Sequence, residues 1–170
     1  MAKKILLNWN DVNSTTKQIV LMPRMWEQNV APEIADRPQD VVSNKILKDA
    51  DILVGIFWTR IGTPTGKAIS GSVEEIEEHI SAKKLTMLYF SNKPIEPNKI
   101  DKDQYQAVLD IKLKYQQKGI IHSFSSIDDF ERHFSNHVAI KLNDIYIQQI
   151  QSNSTFSVEQ ATKISSDALE

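Results

Sequence analysis

Two apolar runs, "ILVGIF" at residues 52–57 and "LTMLYF" at residues 85–90, constrain the fold more than any other feature. Both are continuous rather than alternating. A strand with one wet face alternates apolar and polar residues, whereas a strand covered on both faces stays apolar, as in parallel sheets. Shorter runs occur at residues 19–22, just before Pro23, and at residues 120–124, just after Gly119. Helical patterns fill the intervals. One starts near Asp36-Arg37-Pro38, with an aspartate cap and an early proline, and places Val42 and Ile46 on one face. A second starts at Ser72 and spaces Val73, Ile76 and Ile80 for one apolar face. A third covers Lys102 to Lys118, with Tyr105, Val108 and Leu109 inward, and stops at Gly119. The last follows Ser125-Ser126 and carries Ile127, Phe130, Phe134, Val138, Leu142 and Ile145. Strands alternating with helices imply an α/β fold with a mainly parallel sheet.

The ends are less regular. Ile5, Leu6 and Trp9 suit a short amphipathic helix at least as well as a strand. Beyond about Gln149 the chain is rich in Ser, Gln and Asn, so residues 1–149 are expected to form a single domain and 150–170 a polar, disordered tail. At 170 residues and 41% hydrophobic content, the chain has enough apolar material for one compact core. A net charge of −2 leaves no electrostatic footprint for nucleic acid or an anionic membrane. There is no cysteine, which excludes disulfides, thiolate metal sites and a cysteine nucleophile. No apolar run approaches a membrane span and the start does not read as a secretory signal, so a cytoplasmic protein is expected.

Chemistry is concentrated in "FWTRIGTPTGKAISGSVEEIEEH", residues 57–79, which leaves the carboxyl end of a predicted central strand. Open α/β sheets bind ligands at that end. Gly62, Gly66 and Gly71 allow tight turns or close backbone approach. Thr59, Thr63, Thr65, Ser70 and Ser72 can bond ribose hydroxyls or phosphate oxygens. Arg60 can pair with phosphate and Trp58 can stack on a base or nicotinamide ring. The start of the next helix favours negative charge. A nucleoside or nucleotide fits this set, although it matches neither a GxGxxG fingerprint nor a P-loop. The same composition also describes an ordinary connecting loop, with Arg60 paired to a carboxylate and Trp58 covering the sheet edge.

Four glutamates follow. Ser72-Val73-Glu74-Glu75 has the capping-box pattern, so Ser72 is expected to cap the Glu75 amide and Glu75 to reach back to Ser72. Glu78 is expected in solvent, and Glu77 beside a basic residue. The helical wheel does not separate Glu74 from Glu75. A fixed carboxylate here could equally stabilise, or attack, the positive ribosyl centre formed when an N-glycosidic bond breaks. His79, one turn beyond Glu75, reads as a group tuning that carboxylate or as an ordinary surface histidine. His133 and His137 have metal-compatible spacing, but with no third ligand evident no metal site is expected.

The segment "DADILVGIFWTRIGTPTGKAISGSVEEIEEHISAKKLTMLYFS", together with "WNDVNS", "MPRMWE" and "APEIADRPQD", resembles a bacterial family of TIR-like domains of uncharacterised function. Its members occur with nucleotide-binding signalling or defence proteins, and the wider group includes TIR NADases and nucleoside 2-deoxyribosyltransferases. The resemblance covers the chain from about Asn8 to Phe134. It implies a flavodoxin-like, TIR-like three-layer sandwich with a nucleotide-sized pocket. In deoxyribosyltransferases a Gly-Thr-x-x-Glu motif precedes the helix, and a Gly-Lys-Pro motif follows it. Gly71-Ser72-Val73-Glu74-Glu75 falls on the first, with Ser72 for Thr; Lys83-Lys84-Leu85 falls on the second and departs at Lys83 and Leu85.

That match selects Glu75 as the catalytic-type carboxylate. It implies cleavage of the N-glycosidic bond of NAD, or deoxyribosyltransferase-like chemistry on a related nucleotide, with NAD as substrate rather than cofactor and no metal. A non-catalytic interaction or ligand-sensing module, with self-association, is the alternative. Relatives begin with an apolar strand before the helix ending in "WNDVNS"; here the chain starts in that helix, so the usual first strand is expected to be missing.

Overall fold

The computed structural model describes residues 1–25, 49–64 and 68–167, with side chains through Ser152. The helix expected from Asp36 lies outside the described residues, as do Thr65 and Gly66. The chain divides into two compact units, Arg24–Phe130 and the combination of Met1–Pro23 with Glu131–Glu170.

The first unit is α/β. Strands β1 (Ile52–Phe57), β2 (Leu85–Ser91) and β3 (His122–Phe124) lie in that order in one sheet. Every pairing is parallel, with Ile52 opposite Leu85, Phe57 opposite Phe90, and Tyr89 opposite His122. Helix α2 (Gly71–Ser81) crosses from β1 to β2 and α3 (Lys102–Lys118) from β2 to β3. Two crossovers of the same hand, stepping the same way across a sheet, put both helices on one face. The buried cluster agrees. Leu53 and Phe57 of β1 and Leu88 and Phe90 of β2 meet Val73 and Ile76 of α2 and Val108, Ile111 and Tyr115 of α3. Phe57 stacks on Phe90 with ring centroids 5.3 Å apart, an arrangement worth about 0.5–1.5 kcal/mol beyond burial. Gly55 makes room for its cross-strand partner Leu88: a Cβ there would lie 2.8 Å from Leu88 Cδ2, too close without a shift of that side chain, and 3.4 Å from the Ile76 terminal methyl of α2. On the other face Tyr89 receives the edge of Phe130, from the first turn of the helix after β3, at 5.2 Å. The sheet is thus flanked by helices, the arrangement of a flavodoxin-like sandwich.

Four expectations are corrected. Helix α3 has the predicted span, but Tyr105 and Leu109 face solvent at 36% and 39% exposure. The inward row runs Val108, Ile111, Tyr115, because spacings of three and four residues keep one stripe on the sheet. The residue 120–124 run gives a strand only from His122, and Ile120 is fully exposed. The run at residues 19–22 forms no strand. The Asn10 side chain takes the place of a neighbouring strand: its Nδ2 donates to the Leu21 carbonyl and its Oδ1 accepts from the Leu21 amide, both at 2.8 Å. The capping motif expected at the start of α2 involves other residues, described below.

The second unit is helical. Helix α1 (Ala2–Lys17) occupies the start of the chain. Helix α4 (Ile127–Asp167) supplies the other segment from Glu131 onward. The Lys17 ammonium donates to the Asn143 side-chain Oδ1 at 3.1 Å and lies 4.5 Å from the Tyr146 ring centroid, tying the end of α1 to α4. Phe134, Val138 and Leu142 form the buried row of α4, while Ile127 is 54% exposed. Where a disordered tail is expected, the α4 backbone stays helical to Asp167. Extending an established helix fixes one residue per added hydrogen bond, far less costly than nucleation. No helix among the described residues is long and apolar enough to cross a membrane.

Candidate functional site

Each helix after a strand starts with a polar cap that leaves its N-terminus near the carboxyl end of the sheet. At α2 the cap is Ser70, fully buried, whose hydroxyl accepts from the Val73 amide at 3.2 Å. This corrects the Ser72–Glu75 capping box. The helix begins at Gly71, one residue earlier than expected, so Ser72 stands exposed in the first turn and Glu75 falls past the position that would reach back. A reciprocal arrangement is found instead at α4. There Ser126 accepts from the Asp129 amide at 3.1 Å, and Asp129 accepts from the Ser125 amide at 3.0 Å. At α3 the cap is Asp101, whose Oδ1 accepts from the Gln104 amide at 3.2 Å.

The loop leaving β1 is fastened to these helix starts. Gly62, at φ 103°, lies against the α2 cap; a Cβ on it would sit 3.5 Å from Ser70 Cβ. Arg60 pairs with Asp101 Oδ2 at 3.3 Å, with 71% of its side chain exposed. The Ile61 and Gly62 amides both donate to Gln104 Oε1, at 3.0 and 3.2 Å, and Gln104 Nε2 donates to the Gly62 carbonyl at 3.2 Å. Asp101 and Gln104 have the spacing of a capping box, in which the fourth residue normally returns to the cap. Here Gln104 turns to the loop instead. Trp58 is 41% exposed, and its indole N–H donates to the Lys93 carbonyl at 3.0 Å, in the loop leaving β2.

The carboxylates on α2 have different surroundings. Glu74 is 7% exposed. Glu75 is half-buried and Glu78 exposed. Glu77 does have basic partners: Lys114 at 2.7 Å and Lys118 at 3.6 Å, with the Tyr115 hydroxyl donating to it at 2.9 Å. Burial alone would raise the Glu77 pKa, but the hydrogen bonds from Lys114 and Tyr115 and the two lysine charges outweigh it and hold the carboxyl below 4.5. Glu77 therefore pins α2 to α3.

His79 is a core residue rather than a surface one, at 3% exposure. Its ring spans the Thr86 hydroxyl on β2 at 3.0 Å and the Ala50 carbonyl before β1 at 3.2 Å. Burial is the main cause of its lowered pKa; the Lys84 charge adds to it, while the bond to Ala50 and the Asp51 charge oppose it.

The described members of the sequence-derived site set fall on two neighbouring segments of the first unit. Trp58 and Arg60 lie on the loop and Ser70, Ser72 and Glu75 at the start of α2, with exposed Thr63 between; Thr65 lies outside the described residues. Ser70 is committed to its capping bond. Sequence reasoning missed Asp101 and Gln104. The signal available was their D-x-x-Q pattern before a helix, which identifies a cap but not a contact to a loop some forty positions earlier.

Comparison adds a family without an assigned activity. No curated protein and no solved structure matches the chain. A family model described as a domain of unknown function (DUF4062) matches residues 6–139, and the chain belongs to that family.

Proposed function

We propose that the first unit binds a nucleotide-type small molecule at the carboxyl end of its sheet, and that Glu75 acts on the N-glycosidic bond of NAD or a related nucleotide. The observation that carries this reading is the half-buried Glu75 near the start of α2, with the α2 cap against the glycine loop of β1. The chemistry requires a carboxylate near the anomeric carbon as the bond to nicotinamide breaks. With water as acceptor, the products are nicotinamide, ADP-ribose and a proton. Trp58 would stack on a ring, while Arg60, Thr63 and Ser72 would position ribose or phosphate. The resemblance to TIR-like domains and deoxyribosyltransferases supports the same residue. A cytoplasmic role in bacterial signalling or defence belongs to this proposal.

The test is incubation of the purified chain with NAD and chromatography for free nicotinamide. Release that disappears in Glu75→Ala and persists in Glu78→Ala is the expected result. Equal release from both variants removes Glu75 from the role.

One observation favours a second reading, a ligand-sensing or self-associating module without turnover. The Trp58 indole, Arg60 and the Ile61 and Gly62 amides are all engaged within the fold. That reading predicts NAD binding without nicotinamide release, or concentration-dependent association in sedimentation.

A further inference from the structure

Two consecutive backbone amides, Ile61 and Gly62, point at a single oxygen, Gln104 Oε1, at 3.0 and 3.2 Å. Successive N–H groups converging on one acceptor make an anion-binding nest, and the positive φ of Gly62 suits that geometry. The nest faces the first turn of α3, whose dipole favours negative charge. Its present occupant is a neutral carboxamide, a weaker acceptor than a phosphate oxygen. Arg60 adjoins it, held by one exposed contact to Asp101 at 3.3 Å, a class of ion pair that contributes little. Asp101 and Asp103 are the acidic groups of this turn; Asp101 is occupied by Arg60 and by capping the Gln104 amide, and Asp103 is exposed.

We propose that the Ile61 and Gly62 amides are a phosphate subsite that the Gln104 carboxamide covers, and that a phosphate group enters by displacing it. This rests on the nucleotide reading above and adds a gate to it. An internal competitor lowers apparent affinity by the fraction of molecules in which the site is open. Gln104 therefore tunes affinity for phosphate-bearing ligands without contacting the glycosidic bond.

The test is titration of the full chain with inorganic pyrophosphate, following the Ile61 and Gly62 amides and the Gln104 side-chain amide by nitrogen-15 NMR. In the native chain all three are expected to shift together. Gln104→Ala should bind about tenfold more tightly, because the competitor is gone. Gln104→Glu, the same shape with a charge seated in the nest, should bind about tenfold more weakly. Affinity in Gln104→Ala no greater than in the native chain, or amides that do not respond in either, overturns the proposal. If Gln104→Ala fails to fold by circular dichroism, the Gln104→Glu variant decides, and an unchanged affinity there overturns it. Pyrophosphate has no glycosidic bond, so the two readings fail separately. A chain that releases nicotinamide but fails this titration loses only the subsite; one that passes it without releasing nicotinamide loses only the enzymatic reading.

Discussion

His79 Nδ1 lies 3.0 Å from the Thr86 hydroxyl while its Nε2 lies 3.2 Å from the Ala50 carbonyl. A carbonyl can only accept, so the neutral ring carries its proton on Nε2 and leaves Nδ1 as an acceptor facing the Thr86 hydroxyl, whose one proton is also within reach of the Lys84 carbonyl at 3.3 Å. The ring thereby joins α2 to the segment before β1 and to β2. Its lowered pKa means that below the ordinary value of 6.5 the unfolded chain binds a proton that the folded chain resists. Stability is therefore expected to be unaffected by this group well above that pH and to fall as pH drops from it. Melting temperatures between pH 8 and about pH 5 check this, compared with His79→Gln, which should lose that part of the decline. Parallel curves for the two proteins would remove His79 as its source.

Glu77 has the opposite chemistry and a lower window. Its carboxyl is held below 4.5, so its contribution is present above that value and is lost as pH falls through the folded-state pKa. Glu77→Gln should lower stability at pH 7, and the difference from the native chain should shrink as pH falls through the lowered folded-state pKa. Tyr115→Phe removes a hydrogen bond to a charged acceptor and should cost about 1–2 kcal/mol in urea unfolding at pH 7. No loss in that variant would mean that Lys114 and Lys118 hold Glu77 unaided.

The two serines before the glutamates should separate cleanly. Ser70→Ala removes the α2 cap and is expected to cost about 1 kcal/mol. Ser72→Ala, at an exposed position, should stay within about 0.5 kcal/mol. Denaturant midpoints decide. A larger loss at Ser72 than at Ser70 would overturn the capping assignment. A neutral Ser72→Ala is also a clean probe of ligand contact, because any change in binding cannot then come from unfolding.

Lys83 occupies the left-handed region at φ 57° just after α2. Its amide donates to the Ile80 carbonyl at 2.9 Å and the Lys84 amide to the His79 carbonyl at 3.2 Å, the pair of bonds of a Schellman ending. That position favours glycine, which has no Cβ to clash there. Lys83→Gly should stabilise the protein by about 0.5–1 kcal/mol, the relief of side-chain strain less the added backbone entropy of glycine. A lowered melting temperature would show that the Lys83 side chain contributes more than its strain costs.

The amino-acid order alone determined the elements whose physics is local or strongly patterned. Continuous apolar runs marked β1 and β2, Gly119 marked the end of α3, and alternation of element types marked an α/β fold with a parallel sheet. Where alternatives were nearly equal in local energy, tertiary structure decided. Ser70 and Ser72 are chemically equivalent caps, and only the folded chain distinguishes them: Ser70 is fully buried and caps the helix while Ser72 is exposed. The residue 19–22 run has strand composition, but Asn10 satisfies the Leu21 backbone and no strand forms. Glu74 and Glu75 flank one helical face equally on a wheel, and burial distinguishes them only once the chain around α2 is in place. The Gln104 grip on Ile61 and Gly62 joins positions far apart in the chain. No local pattern encodes it, because its geometry exists only after β1 and α3 have been brought together by the sheet.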